Sequence, residues 1–173
     1  MQKVKVRIEG TSPLLQHRFP MEENQENKSV RRKKEYPAEE ECKKALYQDD
    51  KGKIYQPAEH ILGALVMAAK NFSYEKKRTY KEIVKSSVFV NPAVIYHEHQ
   101  KWQIDRRPVV VMKARIVRAR PRFDKWALAF EIEFDNEVMG KDKLKEMLDY
   151  AGQRVGIGDY RPAFGRFIVT RFE

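Results

Sequence analysis

The sequence has almost no cysteine and no long apolar run. With Cys42 as its only cysteine, the chain can form no internal disulfide and no thiolate metal cluster, which fits a reducing compartment. No stretch approaches the roughly 18 apolar residues of a membrane-spanning helix. Residues 1–10 alternate charged side chains with Val and Ile instead of forming the apolar region of a signal peptide. We therefore predict a cytoplasmic protein with no membrane contact.

Charge is plentiful and unevenly distributed. The 173 residues include 35 Lys and Arg against 25 Asp and Glu, which gives a formal net charge of +10 at pH 7. Residues 105–125 carry eight basic side chains against two acidic ones, whereas residues 126–151 carry three basic against seven acidic. A segregated basic segment is typical of a surface that follows phosphates. An exposed edge strand that uses charge to prevent aggregation would have a similar composition.

Hydrophobic periodicity predicts alternating strands and helices. Alternation in residues 1–10 and from Trp126 to Phe134 predicts two half-buried strands, and the final residues 166–172 predict a third. Helical spacing of apolar residues predicts helices over about 58–72 and 144–151. The β-rich stretch before Trp126 predicts a further strand, joined to the next by a hairpin loop in its last residues, "PRFDK".

The element order predicts an α+β fold. Strand, helix, strand, strand, helix, strand is the ferredoxin-like βαββαβ arrangement, an antiparallel sheet with two core helices on one face. RNA-recognition motifs share this topology, although their aromatic signatures are not visible here. We predict a single domain over residues 1–173, with inserted loops or hairpins at about 18–57 and 73–111. The second face of the sheet would be free to bind a ligand.

Half of the chain's eight glycines lie in "AGQRVGIGDYRPAFGRF", residues 151–167. Glycine can adopt positive φ and let backbone N–H groups approach a phosphate. The three arginines of the segment would add charge, and Tyr160 and Phe164 could stack on bases. Alternatively, Gly152 caps a helix, the other glycines form an ordinary turn, and Phe164 packs in the core.

The basic segment before Trp126 is expected to present its charges on strand faces. A regular strand would place Lys113 and Arg115 on one face and the last three arginines, Arg118, Arg120 and Arg122, on the other. A bulge at residues 116–117 would bring all five to the same face.

Three segments resemble landmarks of a known family. They are "GTSPLL" at residues 10–15, "IYQPAEHILGAL" at 54–65 and "GIGDYRPAFGRF" at 156–167. In this order they resemble the repeat-associated mysterious protein (RAMP) superfamily, the RNA-binding subunits of CRISPR effector complexes. The resemblance implies a ferredoxin-like fold and RNA as ligand, and it implies a homo-oligomer or filament along the strand. A stand-alone or virus-encoded relative would fit the short chain.

The predicted function is non-enzymatic binding of single-stranded RNA or DNA with weak sequence preference, and RNA is favoured by the resemblance alone. No cofactor and no metal are predicted. A polar segment over residues 21–35, with a basic run at its end, predicts a mobile loop that could add contacts. The predicted nucleic-acid-binding residues are Arg31, Arg32, Lys33, Lys34, Arg106, Arg107, Lys113, Arg115, Arg118, Arg120, Arg122, Arg154, Gly156, Gly158, Tyr160, Arg161 and Arg166.

Three alternatives stay open. The chain could be a single-stranded DNA-binding protein of a virus or mobile element, a protein-interaction scaffold, or a metal-independent endoribonuclease that uses His17. Catalytic signals are sparse, because His17 has no identifiable partner in the sequence and no phosphate-loop or Rossmann motif is present. The "HEH" at residues 97–99 would offer two metal ligands on a strand, but we predict an exposed polar loop there. His60 is expected to be structural.

Overall fold

The described part of the chain, residues 1–19, 37–111 and 114–173, contains eleven strands and four α-helices. The structure is a computed structural model. The elements are β1 (Gln2–Gly10), β2 (Leu14–Leu15), α1 (Ala38–Ala45), β3 (Tyr55–Pro57), α2 (Ala58–Ala69), β4 (Ser73–Glu75), β5 (Arg78–Thr79), α3 (Lys81–Ser87), β6 (Val88–Asn91), β7 (Val94–Tyr96), β8 (Gln103–Val111), β9 (Ala114–Phe123), β10 (Ala127–Phe134), α4 (Lys141–Tyr150) and β11 (Phe167–Phe172). A π-helical turn, Ala151–Val155, extends α4. None of the described helices has the length and apolarity needed to cross a membrane.

A four-stranded antiparallel sheet forms the centre of the fold. Its strand order is β11–β1–β10–β6, and every neighbouring pair is antiparallel. With α2 and α4, these strands give the βαββαβ order of a ferredoxin-like fold. The predicted α+β class is therefore confirmed.

Alternating apolar residues place the core between the sheet and its helices. Val4, Val6 and Ile8 of β1 are buried, and their partners across the sheet on β10 are also apolar and buried: Ile132, Phe130 and Leu128. Helices α2 and α4 contribute to the same core through a second buried set: Ile61, Leu65, Leu144 and Leu148. The apolar faces of the strands, with period 2, and of the helices, with period 3.6, thus pack together on one side of the sheet.

The prediction that residues 121–125 join two paired strands is wrong. Strand β9 pairs with β8 and β2 in a separate three-stranded sheet, and β6 is the strand that pairs with β10. Val88 and Val90 of β6 lie opposite apolar residues of β10 and so occupy the edge that β9 would have taken. The side chain of Trp126 is buried just after this connection, and its Nε1 donates a hydrogen bond to the Ser12 carbonyl at 2.8 Å. The connection therefore leads from one sheet into the other.

Candidate nucleic-acid interface

The structure brings the three landmark segments together. We call residues 156–166 the glycine loop. Its Asp159 N–H donates to the Leu15 carbonyl at 2.9 Å, and its Gly165 N–H donates to the Pro13 carbonyl at 2.8 Å. On the other side of β2, the Gln16 side chain donates to the Tyr55 carbonyl at 2.8 Å. The "PLL" segment therefore lies between the glycine loop and β3, the strand that leads directly into the N-terminus of α2.

Close packing explains the glycines of this loop. Gly158 has φ of +78°, and a Cβ at this position would overlap the Leu15 carbonyl. Gly156 ends the π-helical turn at φ of +74°, and its N–H donates to the Ala151 carbonyl at 2.8 Å. That N–H is not available to a phosphate, contrary to the prediction from the sequence. The glycines let the loop approach its neighbours closely.

Strands β8 and β9 form a hairpin that we call the arginine ribbon. Arg107 lies opposite Arg118, and Asp105 lies opposite Arg120, in a register with no shift at residues 116–117. Because directly opposed residues share a face, one face carries four arginines: Arg107, Arg118, Arg120 and Arg122. The other face carries Arg106 and Arg115. The predicted split of the arginines between two faces is confirmed, and the bulge is absent from the described register.

On the ribbon face with four arginines, each arginine has a carboxylate partner. We call this face the acid-paired face. The pairs are Arg107–Asp105 at 2.5 Å, Arg118–Glu41 at 3.2 Å, Arg122–Asp124 at 2.7 Å and Arg120–Asp159. Only 11% of the Arg120 side chain is exposed. A phosphate on this face would have to compete with these acids, and Arg120 serves to attach the ribbon to the glycine loop.

Aromatic side chains of the glycine loop contact the arginine ribbon. The Arg107 guanidinium lies 4.4 Å from the ring centre of Phe164 and 5.7 Å from that of Tyr160. Hydrogen bonds to Asp105 raise the pKa of Arg107, so its cation–π contacts persist at any ordinary pH. The Tyr160 hydroxyl donates to the Pro108 carbonyl at 3.3 Å, and 38% of Tyr160 is exposed. Phe164 thus packs on the ribbon and is not part of the main core.

Five of the predicted arginines have no ion-pair partner among the residues that the structure describes. These unpaired arginines are Arg106 and Arg115 on the ribbon and Arg154, Arg161 and Arg166 at the glycine loop. All five are exposed. Arg154 and Arg161 line a groove of about 390 Å³ together with Met67 and Tyr160. The unpaired arginines among the predicted residues therefore lie around the loop and on one ribbon face. Five other predicted residues lie outside the described part: Arg31, Arg32, Lys33, Lys34 and Lys113.

The open face of the central sheet, which the sequence suggested as a binding surface, has mixed charge. Lys3 pairs with Glu133 at 3.7 Å, and Arg7 pairs with Glu98 at 2.8 Å. Glu131 of β10 lies opposite Lys5 of β1. The described charges of the open face are therefore mixed in sign and largely paired, unlike the unpaired arginines of the ribbon and the glycine loop.

A buried polar cluster lies behind the "PLL" segment. The Gln16 side chain donates to Gln56 Oε1 at 3.0 Å, and His97, only 3% exposed, lies beside both glutamines. Burial lowers the pKa of His97 to about 4. The prediction of an exposed polar loop at residues 97–99 is wrong for His97, because its ring packs against Phe123 with centres 4.8 Å apart. Within residues 1–19, 37–111 and 114–173, no group of three or more candidate ligands is arranged for a metal.

His17 lies at the edge of the same region. Its Nδ1 is 3.9 Å from Asp159 Oδ2, and about half of its side chain is exposed. Burial and the nearby Arg120 charge lower its pKa. Asp159 is already paired with Arg120. This carboxylate is therefore too far from His17 for a hydrogen bond and is shared with an arginine.

The chain is thus a ferredoxin-like domain with an added arginine ribbon and with a glycine loop held against β2. No family model matches the chain, and no curated protein matches it. Among solved structures, one similar chain belongs to a cryo-EM structure of the type III-B Cmr-beta bound to cognate target RNA. The TM-score is 0.60 at 12% sequence identity, and the match covers 99% of this chain and 59% of that chain. At this identity the likeness shows the fold, and the present chain spans about 59% of its neighbour's length.

Proposed function

We propose that this protein is a RAMP-like, non-enzymatic binder of single-stranded RNA that works in the cytoplasm. The observation that carries the proposal is the groove at the glycine loop, where the partly exposed Tyr160 ring lies beside two unpaired arginines, Arg154 and Arg161. A basic surface that includes an exposed aromatic ring suits an unpaired strand, whose phosphates need charge and whose bases need a stacking surface. The RNA-bound neighbour supports RNA over DNA.

The two ribbon faces would have different roles. The unpaired arginines would contact phosphates, because no described carboxylate competes for them. The acid-paired face would hold the ribbon and loop in their relative positions. Phosphate contacts carry affinity and little sequence information, so sequence preference should be weak. Assembly into a homo-oligomer or filament along the strand stays a prediction.

The salt dependence of binding tests the proposal directly. About six phosphate contacts would give a slope near −4 in a plot of log K against log salt, since each contact on a single strand contributes about −0.7. Fluorescence anisotropy with a labelled, unstructured RNA over a range of salt concentrations would measure this slope. Duplex RNA should bind more weakly because its base faces are covered. A flat response to salt would exclude the electrostatic mechanism.

The same mixtures separate the alternative functions. If the protein is a binder only, denaturing gels of the incubated RNA should show full-length strands in the absence and presence of metal chelator. Fragments that disappear in His17→Ala would instead support the ribonuclease. Tighter binding of DNA than of RNA of the same sequence would favour the DNA-binding alternative. Absence of binding to either would favour a protein-interaction scaffold.

Tyr160→Ala is expected to weaken RNA binding by about 5- to 150-fold, the effect of losing one base-stacking contact of about 1 to 3 kcal/mol. Tyr160→Phe is the matched control, because it keeps the ring and removes only the hydroxyl that contacts Pro108. It should bind like the parent, because it keeps the stacking ring and the lost hydroxyl contacts the protein's own Pro108 carbonyl. Equal losses in both variants would show that the ring does not stack on a base.

A further inference from the structure

A second basic surface lies at the end of α2, away from the arginine ribbon in sequence. The hairpin of β4 and β5 presents three consecutive cations, Lys76, Lys77 and Arg78, all exposed. None of them has an ion-pair partner within the described part of the chain. We call residues 73–79 the lysine hairpin.

The lysine hairpin is attached firmly to the core and carries an exposed ring. The Tyr80 N–H donates to the Phe72 carbonyl at 3.0 Å, and the Phe72 ring packs edge-on against Tyr150 with centres 5.5 Å apart. Tyr74 packs edge-on against Tyr80 at 5.1 Å between centres and keeps 36% of its surface exposed. The hairpin thus carries an exposed tyrosine ring and, within four residues of it in sequence, three cations and one acid, Glu75, which lies opposite Arg78.

Helix α2 connects this hairpin to the groove at the glycine loop. The Arg161 guanidinium contacts Met67 of α2, with Nη1 3.9 Å from the sulfur. Lys70 is three residues further along the chain and therefore lies on the same side of the helix, closer to the hairpin. Lys70 is exposed and has no ion-pair partner among the described residues. Free cations thus continue from Arg161 past Lys70 to the hairpin.

We propose that the single strand bound at the glycine loop continues over the C-terminal end of α2, where its phosphates contact Lys76, Lys77 and Arg78 and a base stacks on Tyr74. This inference rests on the proposed function and extends its footprint. An acidic protein could also be attracted by three cations, but the exposed tyrosine ring in the same hairpin favours a nucleic acid.

A length series tests the inference with the variant Lys76→Ala/Lys77→Ala/Arg78→Ala. An RNA of about five nucleotides would fill only the ribbon and loop, whereas one of about 20 nucleotides would also reach the hairpin. The variant should bind the short RNA like the parent. Its affinity for the long RNA should fall about tenfold or more, and the magnitude of its salt slope should fall by about 2, the contribution of three phosphate contacts.

The control variant removes three exposed lysines elsewhere, as Lys5→Ala/Lys51→Ala/Lys101→Ala. It has the same net charge as the hairpin variant and should bind both RNAs like the parent. Parental affinity of the hairpin variant for the long RNA would overturn the inference and leave the proposed function intact. Equal losses on both RNAs would also overturn it, because the hairpin would then act without extending the footprint. Failure of the parent to bind either RNA would instead contradict the proposed function.

Discussion

Gly158→Val is expected to lower the melting temperature by roughly 5 to 20 °C. A β-branched residue at a positive φ is strained by about 1 to 3 kcal/mol, and an overpacked contact adds about 1 to 3 kcal/mol. Both costs apply here, because φ is +78° and the new Cβ would meet the Leu15 carbonyl, which is backbone and cannot rotate away. For a chain of this size, each kcal/mol shifts the melting temperature by about 2 to 4 °C. Thermal melts followed by circular dichroism would measure the change.

Gly63→Ala is the control for this substitution. A Cβ at Gly63, in the middle of α2, would meet no heavy atom within 4 Å. Alanine should therefore stabilise the protein by up to about 1 kcal/mol through helix propensity. If Gly158→Val melted like the parent, the glycine loop would not be packed against Leu15, and its glycines would be free for ligand contact as the sequence suggested.

Elements with many core contacts could be predicted from the sequence together with their place in the fold, whereas the pairing of the short strands could not be predicted. Strands β1 and β10 and helices α2 and α4 each bury one face over two or more turns or pleats, which gives a clear period. Strand β6 has four residues and only Val88 fully buried, so its pattern cannot say which strand it pairs with. Its pairing depends on residues of β10 that lie far away in the sequence.

In the candidate site, too, local features could be predicted from the sequence, and contacts between distant segments could not. The alternation of Arg115 and Arg118 correctly predicted opposite faces of the ribbon, because strand geometry is local. The acids that neutralise one face, among them Glu41 and Asp159, come from α1 and the glycine loop. No local pattern identifies such partners. Charge counting therefore overestimated the free charge on the ribbon and missed that Arg120 is nearly buried.

Charge reversal at the groove should weaken binding strongly. Arg154→Glu/Arg161→Glu would remove two unpaired cations from the groove beside Tyr160 and place two anions where phosphates are proposed to lie. We expect affinity for a single-stranded RNA to fall on the order of 100-fold at low salt, and the magnitude of the salt slope to fall by about 1.4 or more. Both side chains are exposed, so the melting temperature should change little.

The matched control, Lys51→Glu/Lys101→Glu, makes the same change in net charge at two exposed lysines outside the proposed interface. Attraction by overall charge would weaken binding equally in both double variants, because a diffuse field depends on the total and not on position. A local phosphate site would be lost only in the groove variant. Anisotropy titrations of the parent and both variants, at several salt concentrations, distinguish the two cases. Equal affinities of the two double variants would show that Arg154 and Arg161 make no contact with the strand and would move the interface away from the glycine loop.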